Sequence, residues 1–225
     1  MAFENKPLLP IYFTVFLDML GVGIAIPVLA LLFLDPVHGL KIAGTLADKT
    51  ILLGALLASY ALAQFFGAPI FGTLSDQYGR KKLLLLSLLG TFVGYLLFAL
   101  GIIWGRLELL FIGRILDGFT GGNISIAMSA IADVTKPENR ARNFGLIGMM
   151  FGFGFIIGPF VGGKLSDPSV VSWFSFSTPF IFAALLSLIN IILLFVLFKE
   201  TLTVRRTSKI NLLTGIKNLK RAFTH

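Results

Sequence analysis

Asp18, Arg114 and Asp117 are ionisable side chains set inside long apolar runs, where each would cost roughly 2.5 to 3.5 kcal/mol on an insertion scale if left unpaired. They must therefore face a cavity or one another. Arg114 and Asp117 stand three residues apart and so share one helix face. An apolar setting disfavours the ionised form of a carboxyl, which makes Asp18, about ten residues into its run, a group that can load and release a proton. Arg114 and Asp117 either modulate that step or neutralise each other as a structural pair. The chemistry on offer is proton transfer, not bond making. Cysteine is absent, and His38 and His225 are too few and too far apart for a metal cluster. No nucleophile, base and orienting group occur together, so neither an enzyme nor a cofactor or metal is expected. Tyr60 and Gln64 share a face of their run and Asn190 sits inside the last one, so these three are candidates to line a substrate path. Asn123 projects roughly opposite Arg114 on a 100° wheel, which predicts a packing or repeat-interface residue outside that cavity.

The elements that must position these groups are membrane spans. Of 225 residues 56% are hydrophobic and 13% charged, with a mean hydropathy of +0.90, against roughly a quarter charged in a soluble domain. Six apolar blocks, at about 8–34, 51–74, 83–104, 109–132, 144–165 and 179–198, are each long enough to cross the roughly 30 Å hydrocarbon layer as a helix. Runs such as Leu83-Leu84-Leu85-Leu86 do not alternate as barrel strands must, so the fold class is an all-α integral membrane protein with six transmembrane helices. The first block is longer than a signal core, carries Asp18 and is followed by five more, so it is expected to stay in the mature protein. Lys and Arg concentrate in alternate connections and in the basic, weakly amphipathic tail 199–225. This predicts cytoplasmic termini in an inner (plasma) membrane. The net charge of +8 is explained by those boundaries, and no nucleic-acid partner is expected.

A short pattern occurs twice, Gly72-Thr73-Leu74-Ser75-Asp76 after the second block and Gly163-Lys164-Leu165-Ser166-Asp167 after the fifth, at an offset of 91. Three spans separate the copies, so they face opposite sides. This fits an inverted three-plus-three repeat, 8–104 against 109–198, within a bundle of residues 1–198. The first copy runs on into Gln77-Tyr78-Gly79-Arg80-Lys81-Lys82, where Gly79 suits a tight turn and Asp76 can favour a helix N-terminus or pair with Arg80. Glycines at 154, 158 and 162 leave a smooth stripe for close helix packing, and Pro159 invites a kink.

These segments resemble the major facilitator superfamily. The stretch 72–82 looks like its loop signature between the second and third helices, which implies a gating role for Gly72, Asp76, Gly79, Arg80 and Lys81. Gly154, Gly158, Pro159, Gly162 and Gly163 resemble the signature that the superfamily associates with drug:proton antiporters, and Leu17 to Pro27 resembles the first helix of tetracycline-type exporters. Gly113-Arg114-Ile115-Leu116-Asp117-Gly118 resembles the Arg-x-x-Gln-Gly motif, whose arginine is tied to proton transfer, with Asp at 117 where the broad pattern has Gln. Asp133 to Arg140 looks like the next loop, where Pro137 is expected to bias the chain out of helix. The resemblance implies a proton-coupled exporter of small amphipathic compounds, present as an amino-terminal six-helix half. Its partners would be the bilayer, protons, substrate and a second six-helix half that supplies contacts for Asp76 and for the glycine stripe. The alternatives are a facilitator-type importer of sugars or metabolites and a non-transporting membrane subunit.

Overall fold

A computed structural model of the chain describes residues 8–35 and 39–203. Both histidines and the amphipathic part of the basic tail lie outside the described residues. The described chain is all helix and turn: α1 (Leu9–Leu34), α2 (Leu46–Tyr78), α3 (Arg80–Trp104), α4 (Leu107–Thr120), α5 (Asn123–Val134), α6 (Pro137–Leu165) and α7 (Thr178–Leu197). Five of these helices are long and apolar enough to cross a membrane. The remaining two, α4 and α5, are parts of the single span that the sequence placed at 109–132.

Local chemistry accounts for the ends. Thr45 and Asp48 form a capping box at the start of α2, with Thr45 N–H donating to Asp48 Oδ2 at 2.8 Å and Asp48 N–H to Thr45 Oγ1 at 3.3 Å. Gly105 closes α3 in the left-handed region at φ 61°. Two boundaries differ from the sequence reading. The polar stretch 72–78 stays helical as the last turns of α2, and Gly79 alone, at φ 107°, separates α2 from α3. Pro137 opens α6 instead of forming part of a connection, because proline at the first helical position lacks an N–H that would go unpaired anyway.

The interruption between α4 and α5 falls at Gly121-Gly122. Two glycines in succession weaken a helix by about 1 kcal/mol each. Here Gly121 N–H turns back to Gly118 O at 3.0 Å and Gly122 N–H to Thr120 O at 2.7 Å, before Ile126 N–H to Gly122 O resumes the ladder. Neighbouring helices occupy the carbonyls at the break: Gln64 Nε2 of α2 donates to Gly121 O at 3.1 Å, and the Ser87 hydroxyl of α3 donates to Thr120 O.

Packing follows the repeat. α1 lies along α6, α2 along α4, and α3 between α4 and α7. Exchanging α1 with α4–α5, α2 with α6 and α3 with α7 converts the first seam into the second. The glycines obey the same exchange. A Cβ at Gly158 would meet Gly23 Cα and Leu20 O at 2.8 Å, and one at Gly67, 91 positions earlier, would overlap the Phe119 backbone. The stripe at Gly154, Gly158 and Gly162 therefore packs against α1 within this bundle, correcting the expectation that its partner lies in a second half. Its spacing of four residues follows one helix face, and that face meets α1 where Gly23 lets the backbones touch.

Gly158→Leu is expected to destabilise the purified chain by about 3 kcal/mol or to prevent its folding, because backbone atoms cannot yield to the added side chain. Gly148→Ala, whose new methyl meets nothing within 4 Å, should melt within a few degrees of the unsubstituted chain. Thermal unfolding in detergent, read by size-exclusion profile, checks both.

Candidate functional site

Two apolar clusters divide the bundle. One gathers Leu8 to Val15 of α1, Leu83 to Leu88 of α3, Ile126 to Ile131 of α5, and Leu194 and Phe198. The other gathers Leu20 to Phe33, Tyr95 to Ala99, Leu110 and Phe180 to Ala184. Between them five helices contribute polar side chains: Asp18 from α1, Tyr60 and Gln64 from α2, Thr91 from α3, Asp117 from α4 and Asn123 from α5.

Asp18, Tyr60, Gln64, Thr91, Tyr95 and Asp117 line a cavity of about 10 Å³, room for about one water molecule. A second cavity of similar volume lies on the other side of Asp18, bounded by Leu88, Thr91, Ala183 and Ser187. The structure thus brings together four of the residues singled out in the sequence: Asp18, Tyr60, Gln64 and Asp117. Gln64 Nε2 lies 3.4 Å from the Tyr60 hydroxyl while holding the helix break. Asn190 lies elsewhere. It is fully buried and its Nδ2 donates to Thr14 Oγ1 at 2.9 Å, tying α7 to α1 and lining neither cavity, because that turn of α7 faces α1.

Asn123 lines neither cavity and sits where the two repeats meet: its Nδ2 donates to Asp18 Oδ1 at 3.0 Å. That bond to Asp18 was not legible in the sequence. Tyr95 was also missed. Its hydroxyl reaches the α1 backbone only because residue 21 is glycine, since a Cβ there would overlap it.

Arg114 and Asp117 form no ion pair within 4 Å, and the guanidinium acts on the Asp117 carboxyl through its charge alone. Asp117 has the Thr91 hydroxyl beside it. The Arg114 guanidinium is 5% exposed and lies against aromatic faces, with Cζ 4.9 Å from the Phe98 ring centre, 5.7 Å from Tyr60 and 6.0 Å from Phe180. Its Nε and Nη2 have no hydrogen-bond partner among the described residues.

A second constellation gathers the motif at 72–81. Gly72 and Asp76 ride on the last turns of α2. The Arg80 side chain, 5% exposed, pairs with Asp76 Oδ1 at 2.6 Å and Asp133 Oδ2 at 3.1 Å, and donates to Ser75 Oγ at 2.6 Å. Glu200, which sequence reasoning missed, accepts from the N–H groups of Arg80 at 2.9 Å, Lys81 at 3.2 Å, and Thr201 and Leu202 at 3.0 Å each. It therefore caps α3 from beyond the end of α7. Gly79 is required twice over, by its φ and because a Cβ would collide with the Glu200 carboxylate. Lys81 Nζ donates to Phe195 O at 2.8 Å and sits 5.5 Å above that residue's ring. No local pattern marks Glu200 as the cap of α3, since its partners there, Arg80 and Lys81, are 120 and 119 residues away in sequence.

The family model described as Major Facilitator Superfamily matches residues 11–223. The chain belongs to that superfamily. The family is one of transporters, not enzymes. The class H tetracycline resistance protein of Pasteurella multocida is 44% identical over 197 residues, covering 88% of this chain and 45% of that protein. The quinolone resistance protein NorA of Staphylococcus aureus is 32% identical over 197 residues, covering 87% and 46%. Among solved structures, the human organic anion transporter MFSD10 (TETRAN) superposes with a TM-score of 0.72 at 25% identity, covering 92% of this chain and 51% of that one. The chain spans about half the length of the relatives it matches, and this bundle corresponds to half of a major facilitator fold.

Arg80→Ala is expected to cost about 2 to 3 kcal/mol of thermal stability, discounted for the partial exposure of the two carboxylates it leaves unpaired. Arg80→Lys should recover less than half of that loss, because an ammonium cannot serve Asp76, Ser75 and Asp133 through one planar fork. Paired melting curves of the two variants decide it.

Proposed function

We propose that the chain is the amino-terminal half of a proton-coupled antiporter that exports small amphipathic compounds. The observation that carries this reading is the meeting of Asp18 and Asp117 with Tyr60 and Gln64 at one small cavity between two apolar clusters. Similarity to tetracycline and quinolone resistance proteins supports the direction of transport. In this reading Asp18 carries the proton, and Arg114 and Asp117 modulate its loading through the charge they place one helix away. Tyr60 and Gln64 contribute to the substrate path. Asn190 supports that path indirectly, by fixing α7 against α1. Gly72, Asp76, Gly79, Arg80 and Lys81 serve as the gate. Gly154, Gly158, Pro159 and Gly162 supply the tight α1–α6 seam that sets the position of Asp18, and Gly163 completes the motif on the outer face of α6.

A second six-helix bundle completes the cavity, consistent with relatives twice this length. The exposed apolar faces of α2 and α6 are where it and the lipid would lie. The distribution of Lys and Arg supports a plasma-membrane location with both termini in the cytoplasm, and residues 199–225 as the connection between halves.

In everted vesicles containing the complete assembly, substrate addition should release protons, and Asp18→Asn should abolish that release while substrate binding persists. Retained proton release in Asp18→Asn removes Asp18 from the coupling role. Accumulation of substrate inside whole cells down a pH gradient assigns an importer instead. The cysteine-free chain allows a topology test: a single cysteine at Lys82 should react only with reagent on the cytoplasmic side, and one at Lys164 only from outside.

A further inference from the structure

Asn123 is the first residue of α5 and is 0% exposed. Its Nδ2 donates to Asp18 Oδ1 at 3.0 Å, while its own Oδ1 is buried with no donor near it. An asparagine amide presents a donor and an acceptor on one carbon, and a half-turn about its last bond exchanges them. A carboxylate has only acceptors and selects the Nδ2 face. A carboxylic acid has an O–H to place, and the idle Oδ1 is positioned to take it once the amide turns.

We infer that Asn123 is a two-state partner of Asp18, donating to the carboxylate and, after a half-turn of its amide, accepting from the carboxylic acid. The inference rests on the proposed role of Asp18 as proton carrier. The proton that arrives stays on Asp18, and no other bond is made or broken. Loading then replaces one hydrogen bond by another between the same residues, and the amide that was half satisfied in the charged state exchanges which of its two ends is occupied. Asn123 stands first in α5, directly after the helix break, and reaches Asp18 of α1 from there. The ionisable groups facing Asp18 are Asp117 from α4, Tyr60 from α2 and Tyr95 from α3, and Arg114 of α4 lies behind them against Tyr60 and Asp117. α7 carries no ionisable residue, those of α6 lie in its first two turns and at Lys164, and α5 carries Asp133 at its far end.

Infrared difference spectra of the full 225-residue chain in lipid nanodiscs, taken acid minus alkaline with 13C-labelled asparagine, test this. The expected result is a protonated-carboxyl band that Asp18→Asn removes, with a label-shifted asparagine amide band titrating at the same midpoint. Asn123→Ala should lose the amide band and keep the carboxyl band. Asn123→Ser, which retains a hydroxyl at the helix start, should give the same loss and stands in if the alanine variant does not fold. A carboxyl band from Asp18 with no accompanying amide band, or an amide band that survives both substitutions, overturns the inference while leaving the proton-carrier role intact. Absence of any Asp18 carboxyl band overturns that role and this inference with it.

Discussion

A helix inside a hydrocarbon layer can be interrupted only where its freed carbonyl and N–H groups find partners in the protein, because no water is present to take them. The break at Gly121-Gly122 meets that condition with Gln64 from α2 and Ser87 from α3. Much of the site depends on it. Asn123, the first residue of α5 beyond it, is the side-chain donor to Asp18. Gln64 then has two duties, since the residue that borders the cavity is also the residue that holds open the geometry around it. Its substitution would disturb the path and the break together.

The same constraint explains what could be read in advance. Six helical spans, and the placing of Asp18, Tyr60, Gln64 and Asp117 within them, follow from the length and composition of apolar runs, because a bilayer leaves helices few alternatives. The wheel kept Asn123 apart from the Arg114 face, but it could not name Asp18 as the partner across the repeats. Asn190 was misplaced because an asparagine in an apolar run signals only that a partner exists, not whether it is a cavity or Thr14 on a neighbouring helix. Glu200 was illegible for a different reason: its value lies in four backbone N–H groups, two of them at the other end of a fold that brings α7 back beside α3.

The Arg114 guanidinium poses an energetic question that packing partly answers. Aromatic faces on three sides offer a cation some compensation for lost hydration, but they satisfy no N–H. Asp117 lies one helical turn away and keeps its own neighbour in Thr91. An arrangement in which each charge has an incomplete set of partners is costly to hold and easy to rearrange. Such an arrangement suits the role proposed for Arg114 and Asp117 in answering protonation at Asp18, which a locked structural pair would prevent.

The inverted repeat makes the two ends of the bundle geometrically alike, and charge then makes them different. Gly67 and Gly158 give the α2–α4 and α1–α6 seams the same close approach, so each half of the bundle can shift about a matched backbone contact. At the first copy of the short motif Asp76 is locked to Arg80, which also holds Asp133 and Ser75, while Glu200 fastens the start of α3 to the end of α7. At the second copy Asp167 has no arginine. The Ser169 hydroxyl and N–H hold its carboxyl below the usual carboxylate range, the N–H bond measuring 2.8 Å, and the contact stays within one loop. The bundle thus has equivalent seams and one end cross-linked between helices. In this chain the cross-linked end is also the one from which the polypeptide leaves α7, where Glu200 holds the N–H groups of Arg80 and Lys81 and the Lys81 ammonium holds Phe195 O, so the end of α7 is fastened to the start of α3 from both sides.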